Sequence, residues 1–443
     1  MELSEQVLIQ PYAEITYKMH IILLVAETMM QNGADADRTV RYIRRTATYM
    51  GIPAENVHSH IMYTTVMLNI CDAERTYTEF RKCKQHAVNM SVLSTMSRLI
   101  WRAIRDNYPL ERFEKEVTRI RDRKKPYTGL QTAIGSSFAC GGNCLLFGCD
   151  LAAFFITTFC AFLGYWTRRL CDGRHFNPYA AIAIAAFVAT LVAFLSQRLG
   201  ISATPMLPIA ACALFMVPGV PLLNAASEVL NNFITAGMTR AIDTLLIVGG
   251  MAFGTAIAMR LGSMTNFTTL GLSPGDIYFY HPIAGAISAG GFSMLFNVPR
   301  RVSWVVAVGG MLTILLRNIA MFDLGFSQAA ASFIGAATLG ILALKAIHWF
   351  HVPNVVLTIP SAIPLIPGVL LYRFLFTLLN INAIDTEMFL HGVRDGVEAL
   401  VIITGVAIGV AIPNIFFSRQ IERTKIERAK RLLASRYIDE DEE

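Results

Sequence analysis

One long stretch of this chain is almost without charge. Residues 128–417 hold 12 basic and 10 acidic residues, whereas the first 127 residues hold 19 and 15. Soluble globular proteins carry roughly 25% charged residues throughout. A segment of this length with so few charges is typical of protein that has lipid as its main solvent, so the sequence predicts that most of it is embedded in a bilayer.

Ten apolar segments within this stretch approach the length of a membrane-spanning helix, which needs about 20 residues. They lie near 130–149, 151–170, 177–197, 204–222, 240–260, 277–297, 301–319, 326–347, 353–378 and 393–417. The first two are separated by almost nothing, so we expect a tight helical hairpin there. The sequence therefore predicts a polytopic α-helical membrane protein with about ten transmembrane helices.

The basic region before these spans has its own pattern. Apolar residues recur at helical spacing over 12–31, and a second helix runs to about Met50. One or two strands are expected within 57–71, followed by helices over 88–107 and 109–123. The N-terminus lacks the features of a secretory signal. These patterns predict a small α+β domain that stays in the cytoplasm.

A run of basic residues, RDRKKPYTG at 121–129, marks the boundary between this domain and the spans. The predicted order is a basic cytoplasmic α+β domain, two five-helix membrane halves and a charged cytoplasmic tail, at 1–127, 128–265, 275–418 and 419–443. Lys and Arg in short loops favour the cytoplasmic side. With ten spans and both termini inside, the basic clusters near the first, second, sixth and tenth spans all face the cytoplasm.

A weak internal repeat occurs at a fixed offset of 149 residues. The matching positions share residue type and register: Gly141-Gly142 with Gly290-Gly291, Arg168 with Arg317, and Pro218-Gly219-Val220 with Pro367-Gly368-Val369. Each copy contains five spans, an odd number, so the second copy enters the membrane from the opposite side. Such 5+5 inverted repeats build secondary transporters that bind substrate between the halves. Recurrence of Gly, Leu and Phe by composition alone is the alternative.

Helix-breaking residues concentrate at matched positions in the fourth and ninth spans. Pro218 and Gly219 lie in one, and Pro367 and Gly368 in the other. Proline removes a backbone donor and obstructs the preceding turn, so it kinks or breaks a helix. A half-helix N-terminus inside the membrane offers N–H groups and partial positive charge to a carboxylate. These four residues are candidate substrate-site residues; a simple kink without a ligand is the alternative.

Several polar residues near the spans are further candidates. Arg240 with Asp243, and Arg394 with Glu398, have the spacing of pairs on one helix face. Charges within a membrane usually pair or serve transport, although placement at the interface is equally compatible. Glu398 is the leading candidate for proton coupling. The remaining candidates along the pathway are Asn224, Glu228 and Arg373, although a polar cytoplasmic connection is equally compatible with Asn224 and Glu228. Arg168 and Arg317 either neutralise an anion or anchor the ends of their spans.

Several other classes of function lack their motifs. No G-x-x-x-x-G-K-[ST], H-E-x-x-H or Gly-rich dinucleotide motif occurs. The clustered Cys140, Cys144 and Cys149 have aliphatic and glycine neighbours, so we expect no metal site and no cofactor. An enzyme or sensor carried by the N-terminal domain is the alternative, with His58 and His60 on one face of a strand. A membrane anchor would not need ten spans with a matched repeat, so the prediction is a transporter and not an enzyme.

Three segments carry a resemblance to a known family. MQNGADADRTVRYIRRTATYMGI (30–52), GFSMLFNVPRR (291–301) and IPLIPGVLLY (363–372) resemble the threonine/serine exporter family over essentially the whole chain. The resemblance implies a fused form of parts that some relatives carry as two polypeptides, a split form associated with succinate export.

The same resemblance implies the partners of the chain. It indicates export of small amino acids, or alternatively of C4-dicarboxylates, driven by the proton gradient across a bacterial inner membrane. The expected partners are a small molecule with a carboxylate and the lipid bilayer, with no nucleic acid and with a homo-oligomer left open. The family name favours threonine and serine, while a passive channel is distinguished only by the response of the flux to a gradient.

Overall fold

The computed structural model describes residues 2–71, 75–83, 86–262, 277–379, 381 and 384–412. The predicted limits at 265, 275 and 418 and the predicted tail 419–443 lie outside the described residues. The chain forms two compact units, which we call the N-terminal unit and the membrane unit. The N-terminal unit contains residues up to Lys125 together with Ser227–Thr239, and the membrane unit contains Pro126–Ala226 and Arg240–Ile412.

The N-terminal unit combines helices with one small sheet. Its elements are α1 (Glu2–Gln31), α2 (Ala36–Tyr49), β1 (Val57–Met62), β2 (Thr65–Cys71), β3 (Thr76–Lys82), α3 (Met90–Arg105) and α4 (Leu110–Arg121). Gly33 turns the chain after α1 with a φ of +92°, and the carboxylate of Asp35 caps α2 by accepting the N–H of Arg38 at 2.7 Å. One or two strands were expected within 57–71, and two are present, β1 and β2; β3 was not predicted.

The sheet is antiparallel with strand order β1-β2-β3. Val66, Leu68 and Ile70 alternate along β2 and are buried, so one face of the sheet contributes to the core. His58 and His60 are both exposed on one face of β1, as the alternation predicted. Both histidines therefore lie on a solvated strand face.

The membrane unit is helical throughout its described residues. Its helices are α5 (Gly129–Leu146), α6 (Leu151–Gly173), α7 (Pro178–Arg198), α8 (Met206–Ala211), α9 (Gly219–Leu230), α10 (Ile234–Leu261), α11 (Tyr280–Leu295), α12 (Ser303–Asn318), α13 (Gln328–Phe350), α14 (Asn354–Ala362), α15 (Gly368–Leu379) and α16 (Thr386–Ile412). Parts of α9 and α10 belong to the N-terminal unit.

Six helices of the described residues are long and apolar enough to cross a membrane, or up to eight if each bent pair is one span. The bent pairs are α8 with α9 and α14 with α15, at angles of 60° and 61°. The chain is thus a polytopic helical membrane protein. The count of ten remains a prediction, because α5 and α11 are not among the helices that are long and apolar enough to cross a membrane. Helix α11 has only 16 residues.

Helices α5 and α11 approach each other closely through small residues. A Cβ added to Gly142 would lie 2.7 Å from the backbone nitrogen of Ser288. A Cβ added to Gly291 would lie 2.6 Å from the backbone nitrogen of Ala139. Neither position has room for a side chain, so glycine permits backbone-to-backbone packing of the kind that stabilises helix pairs in lipid.

Candidate functional site

A cavity of about 290 Å³ lies within the membrane unit, where the two bent helix pairs meet. From the first pair, Leu214, Val217 and Gly219 contribute to its wall, and from the second pair the segment 363–370 does so. Most of the lining is apolar. The polar side chains on the wall are those of Asn143, His281, Arg317 and Gln328. An apolar cavity with a few convergent polar groups is typical of a small-molecule site.

Both bends have the same local cause. In the first, a 3₁₀ turn over Leu214–Met216 is followed by extended Val217 and by proline, and α9 begins at Gly219. The residue before a proline is driven out of the helical region, which ends the first half-helix. The N–H of Gly219 donates to the carbonyl of Val217 at 2.8 Å.

The second bend repeats this geometry. A 3₁₀ turn over Ile363–Leu365 precedes extended Ile366 and Pro367, and α15 begins at Gly368. The N–H of Gly368 donates to the carbonyl of Ile366, again at 2.8 Å. The first-turn N–H groups of a helix have no acceptor within the helix, so α15 presents them where Val369 and Leu370 line the cavity.

The two bends also contact each other reciprocally. A Cβ on Gly219 would lie 2.6 Å from Cδ1 of Ile363, and a Cβ on Gly368 would lie 3.0 Å from Cδ2 of Leu214. Gly219 and Gly368 are 149 residues apart, and so are Leu214 and Ile363. Equivalent residues of the two bends therefore make equivalent contacts with each other.

Arg317 provides a positive charge at this cavity. Its Nε and Nη2 donate to Oδ1 of Asn318 at 3.2 and 2.9 Å, while the amide of Asn318 donates to the carbonyl of Ile277 at 2.7 Å. The same amide nitrogen lies 3.3 Å from Nδ1 of the buried His281. Within the described part of the chain, Arg317 forms no ion pair. Asn318 thus holds the guanidinium without neutralising it, which suits an incoming carboxylate.

The candidate residues named from the sequence separate into groups. Gly219, Pro367 and Gly368 line the cavity, and Pro218 directly precedes Gly219. Asn224, on α9, is buried but is not among the residues that line the cavity.

Glu228 of α9 has a partner in the N-terminal unit, and its role along the pathway stays a prediction. Its carboxylate is fully buried in the N-terminal unit and accepts the N–H of Ala36 at 3.0 Å. A carboxylate at the first turn of α2 is favourable, because the helix N-terminus carries partial positive charge. Glu228 therefore caps α2.

The structure gives neighbours for several members of the predicted charge pairs. Asp243 accepts a hydrogen bond from the hydroxyl of Tyr179 at 2.7 Å, and Arg240 is buried. Arg394 and Glu398 form no ion pair with each other within the described residues. Instead, Asp395 on the same helix lies 3.9 Å from the buried Arg373 of α15.

Three polar residues of the cavity were missed or underrated from the sequence. Asn143 and His281 carried no signal, since each is a single polar residue near a span end; Ser288 donates to Oδ1 of Asn143 at 2.8 Å. Arg317 did carry a signal, because it matches Arg168 in the repeat. Neutralisation of an anion and anchoring at the span end were both predicted for the two arginines, and the structure places Arg317 on the cavity wall.

Comparisons with known proteins identify the family. The threonine/serine exporter family (ThrE) matches residues 20–262, more than half of the chain, and a second model described as "Threonine/Serine exporter, ThrE" matches residues 281–416. The chain belongs to the threonine/serine exporter family. This membership confirms the resemblance found in the sequence and makes the chain a membrane exporter.

Curated relatives of this exporter fall into two groups. The "Threonine/serine exporter" of Corynebacterium glutamicum is 20% identical over 420 residues, which cover 93% of this chain and 84% of the relative. The "Probable succinate transporter subunit YjjP" of Klebsiella aerogenes is 27% identical over 234 residues, or 53% of this chain and 89% of the relative. The protein of the same name from Escherichia coli K12 is 26% identical over 53% of this chain and 90% of its own length. No solved structure matches this exporter.

Proposed function

We propose that this exporter is a secondary transporter that moves threonine and serine out of the cell and binds them in the cavity between the two bends. The observation that carries the proposal is the location of the Arg317 guanidinium, without an ion-pair partner among the described residues, on the same wall as the N-terminus of α15. A substrate carboxylate would accept hydrogen bonds from both.

The bends also supply an environment for the ammonium group of an amino acid. A helix C-terminus carries partial negative charge on its unpaired carbonyls. The half-helices that end at Met216 and Leu365 bring such carbonyls to the cavity region. A zwitterion could therefore lie with its carboxylate toward α15 and its ammonium toward a half-helix C-terminus.

A C4-dicarboxylate such as succinate is the second candidate. No Asp or Glu is among the described residues that line the cavity, while His281 lies beside Asn318 and Arg317. A second carboxylate would meet donors and no acidic side chain there. The similarity of the first half to proteins named succinate transporter subunits supports the same alternative.

The two halves are proposed to form a 5+5 inverted repeat of ten spans. Support comes from contacts that recur at the 149-residue offset: Gly219 on Ile363 with Gly368 on Leu214, and Gly142 on Ser288 with Gly291 on Ala139. A pseudo-twofold axis between two copies requires such reciprocity. The similar bends of 60° and 61° also support it. Cytoplasmic termini and the bacterial inner membrane complete the proposal.

Coupling to protons is proposed from Glu398 or from a neighbouring carboxylate of α16. Asp395 is the stronger of these positions, because Arg373 lies 3.9 Å away and can exchange its partner when the carboxylate is protonated. An N-terminal unit that acts as a sensor or enzyme remains the alternative of another class.

Efflux from proteoliposomes loaded with radiolabelled threonine, serine or succinate tests the function. Arg317→Gln should raise the KM for the transported substrate by about tenfold or more, the size of a lost charge-assisted hydrogen bond. Arg260→Gln, at the exposed end of α10, removes the same charge away from the cavity and should leave KM unchanged. An unchanged KM in Arg317→Gln would refute this site, and flux of succinate alone would select the dicarboxylate reading.

A further inference from the structure

Arg317 lies in the last turn of α12, far from the start of that helix. Ser303, at the start of α12, shares a 2.7 Å hydrogen bond with the hydroxyl of Tyr127, which precedes α5. Arg317 follows Ser303 by 14 residues, or about 21 Å of α-helix. Arg317 and the cavity therefore lie toward the end of the helix bundle that is opposite to the start of α5.

Arg168 lies at the end of the bundle where α5 begins. The neighbouring Arg169 packs against Gly129, the first residue of α5. At this end Arg300, just before α12, donates to Oε1 of Gln131 in the first turn of α5 at 2.7 Å. Arg168 and Arg317 thus occupy opposite ends of the same bundle.

The two arginines are also equivalent in the repeat. They are 149 residues apart, the offset that relates both pairs of reciprocal glycine contacts. Each lies in the second helix of its half and near the C-terminal end of that helix. An operation that exchanges the two halves would bring Arg168 to the place that Arg317 now occupies.

We propose that Arg168 binds the substrate carboxylate when the transporter opens toward the other end of the bundle. The inference rests on the proposed function. In an inverted repeat the two access states are related by exchange of the conformations of the halves, so the wall residues of one state have equivalents in the other. The ligand is the same in both states: a small molecule with a carboxylate.

The present asymmetry of equivalent residues supports this exchange. Phe147 lines the cavity, whereas its equivalent Phe296 is buried and stacks on Phe292 at a centroid distance of 5.6 Å. Asn143 and Phe292 are also equivalent in the repeat, and both line the cavity. The cavity therefore extends to the region where the two halves meet. Among the described residues, the cavity lies toward the Arg317 end, whereas the equivalent aromatic residue of the Arg168 end is packed.

Arg168 is not fixed by a strong partner in this state. Its Nε lies 4.0 Å from a carboxylate oxygen of Asp172, and the Asp172 side chain is 56% exposed. Such a pair contributes little to stability and can be given up without a large penalty. A guanidinium this weakly held is suited to pairing with a carboxylate that arrives from its own end of the bundle.

Transport kinetics measured separately from each side test the proposal. Purified protein is reconstituted in one orientation, and zero-trans uptake and efflux of radiolabelled threonine and succinate give one KM for each side. We expect Arg168→Gln to raise KM about tenfold on the side of Arg168 and to leave KM on the Arg317 side within twofold. Arg317→Gln should show the opposite pattern.

Arg169→Gln is the matched control. It removes the same charge from the same helix turn, so an effect of Arg168→Gln on membrane orientation alone would appear in both variants. If Arg168→Gln does not fold, Arg168→Met keeps an unbranched stem without the charge and is measured in its place.

The outcomes separate the two proposals. Unchanged KM values in the Arg168 variant, or an equal rise on both sides, would overturn the role of Arg168 while an effect of Arg317→Gln preserved the proposed site. Unchanged KM values in both arginine variants would instead remove the proposed site itself.

Discussion

Adjacent glycines in α11 have opposite surroundings, and this contrast makes a residue-scale prediction. A Cβ on Gly291 would meet backbone of α5, whereas a Cβ on Gly290 would meet only Cβ of Ala307 at 3.6 Å. Backbone cannot move aside as a flexible side chain can. Gly291→Ala should therefore destabilise the protein by about 1–3 kcal/mol, and Gly290→Ala should have little effect. Thermal unfolding in detergent would show the difference, and equal melting temperatures would contradict the close approach of α5 and α11.

Asp150, just before α6, makes a second prediction at this scale. Burial alone would raise its pKa, but hydrogen bonds from the hydroxyls of Ser202 and Thr204 and from the N–H groups of Ala203 and Ala153 lower the pKa to about 2. Both hydroxyls donate at 2.7 Å. The carboxylate thereby ties the turn between α5 and α6 to the segment that leads into α8.

Because the folded-state pKa of Asp150 is below its ordinary value of 3.8, its contribution to stability is present above about pH 4. This contribution is lost as the pH falls toward 2. Asp150→Asn should lower the free energy of unfolding by about 1–3 kcal/mol at pH 7 and flatten its decline between pH 4 and 2. Melting temperatures across this pH range measure both effects; an unchanged pH profile would show that the carboxylate is not held this way.

Residue roles could be predicted where they depend on local chemistry and not where they depend on distant partners. The prolines and glycines of the bends were found because proline breaks a helix wherever it lies. The role of Glu228 could not be found, since its partner Ala36 is 192 residues away. The same limit applies to Arg373, whose neighbour Asp395 comes from another helix.

At the scale of elements, the periodicity of apolar residues was sufficient to predict the helices of the N-terminal unit but not all of its strands. The helices predicted over 88–107 and 109–123 are observed as α3 and α4, with ends that differ by one or two residues. Strand β3 was missed because TYTEFRK has polar or charged residues at five of its seven positions and its one strongly apolar residue, Phe80, is isolated. In the structure none of its residues is fully buried. The antiparallel pairing of β3 with β2 stabilises a strand that the sequence of β3 alone does not predict.

The packing of α15 against α16 makes a prediction about coupling. A Cβ on Gly396 would lie 2.6 Å from the ring of Phe374, so these helices approach closely near the Arg373–Asp395 pair. Asp395→Asn should abolish stimulation of efflux by a pH gradient while retaining exchange of labelled for unlabelled substrate, because the protonatable group is lost and the site is not.

The matched control is Glu398→Gln, on the same helix one turn further along. It should retain gradient stimulation, since Glu398 has no ion-pair partner among the described residues. The other charged or titratable side chains close to this pair on α16 are His391 and Arg394, and both stay unchanged in the two variants. Loss of stimulation only in Glu398→Gln would return the coupling role to that residue.

At the scale of the whole molecule, the two halves can be considered as separable parts. The two family matches end at residue 262 and begin again at 281. Relatives named succinate transporter subunits align with only 53% of this chain while covering about nine-tenths of their own length. The 149-residue repeat predicts the order of the halves and their length, and this stays a prediction. The contacts between the halves could not be predicted from the sequence, since they depend on how α5 meets α11.

These contacts predict that the chain can be divided. Helices α5 and α11 belong to different halves and pack backbone to backbone through Gly142 and Gly291, so two fragments cut after residue 270 should associate in the membrane. Co-expression of both fragments should restore export of the substrate, and neither alone should do so, because the cavity takes Gly219 from one fragment and Gly368 from the other. A cut after Gly249, inside α10, interrupts a helix whose backbone must remain hydrogen-bonded in lipid and should abolish export. Export by either fragment alone would show that the cavity between the bends is not the site of transport.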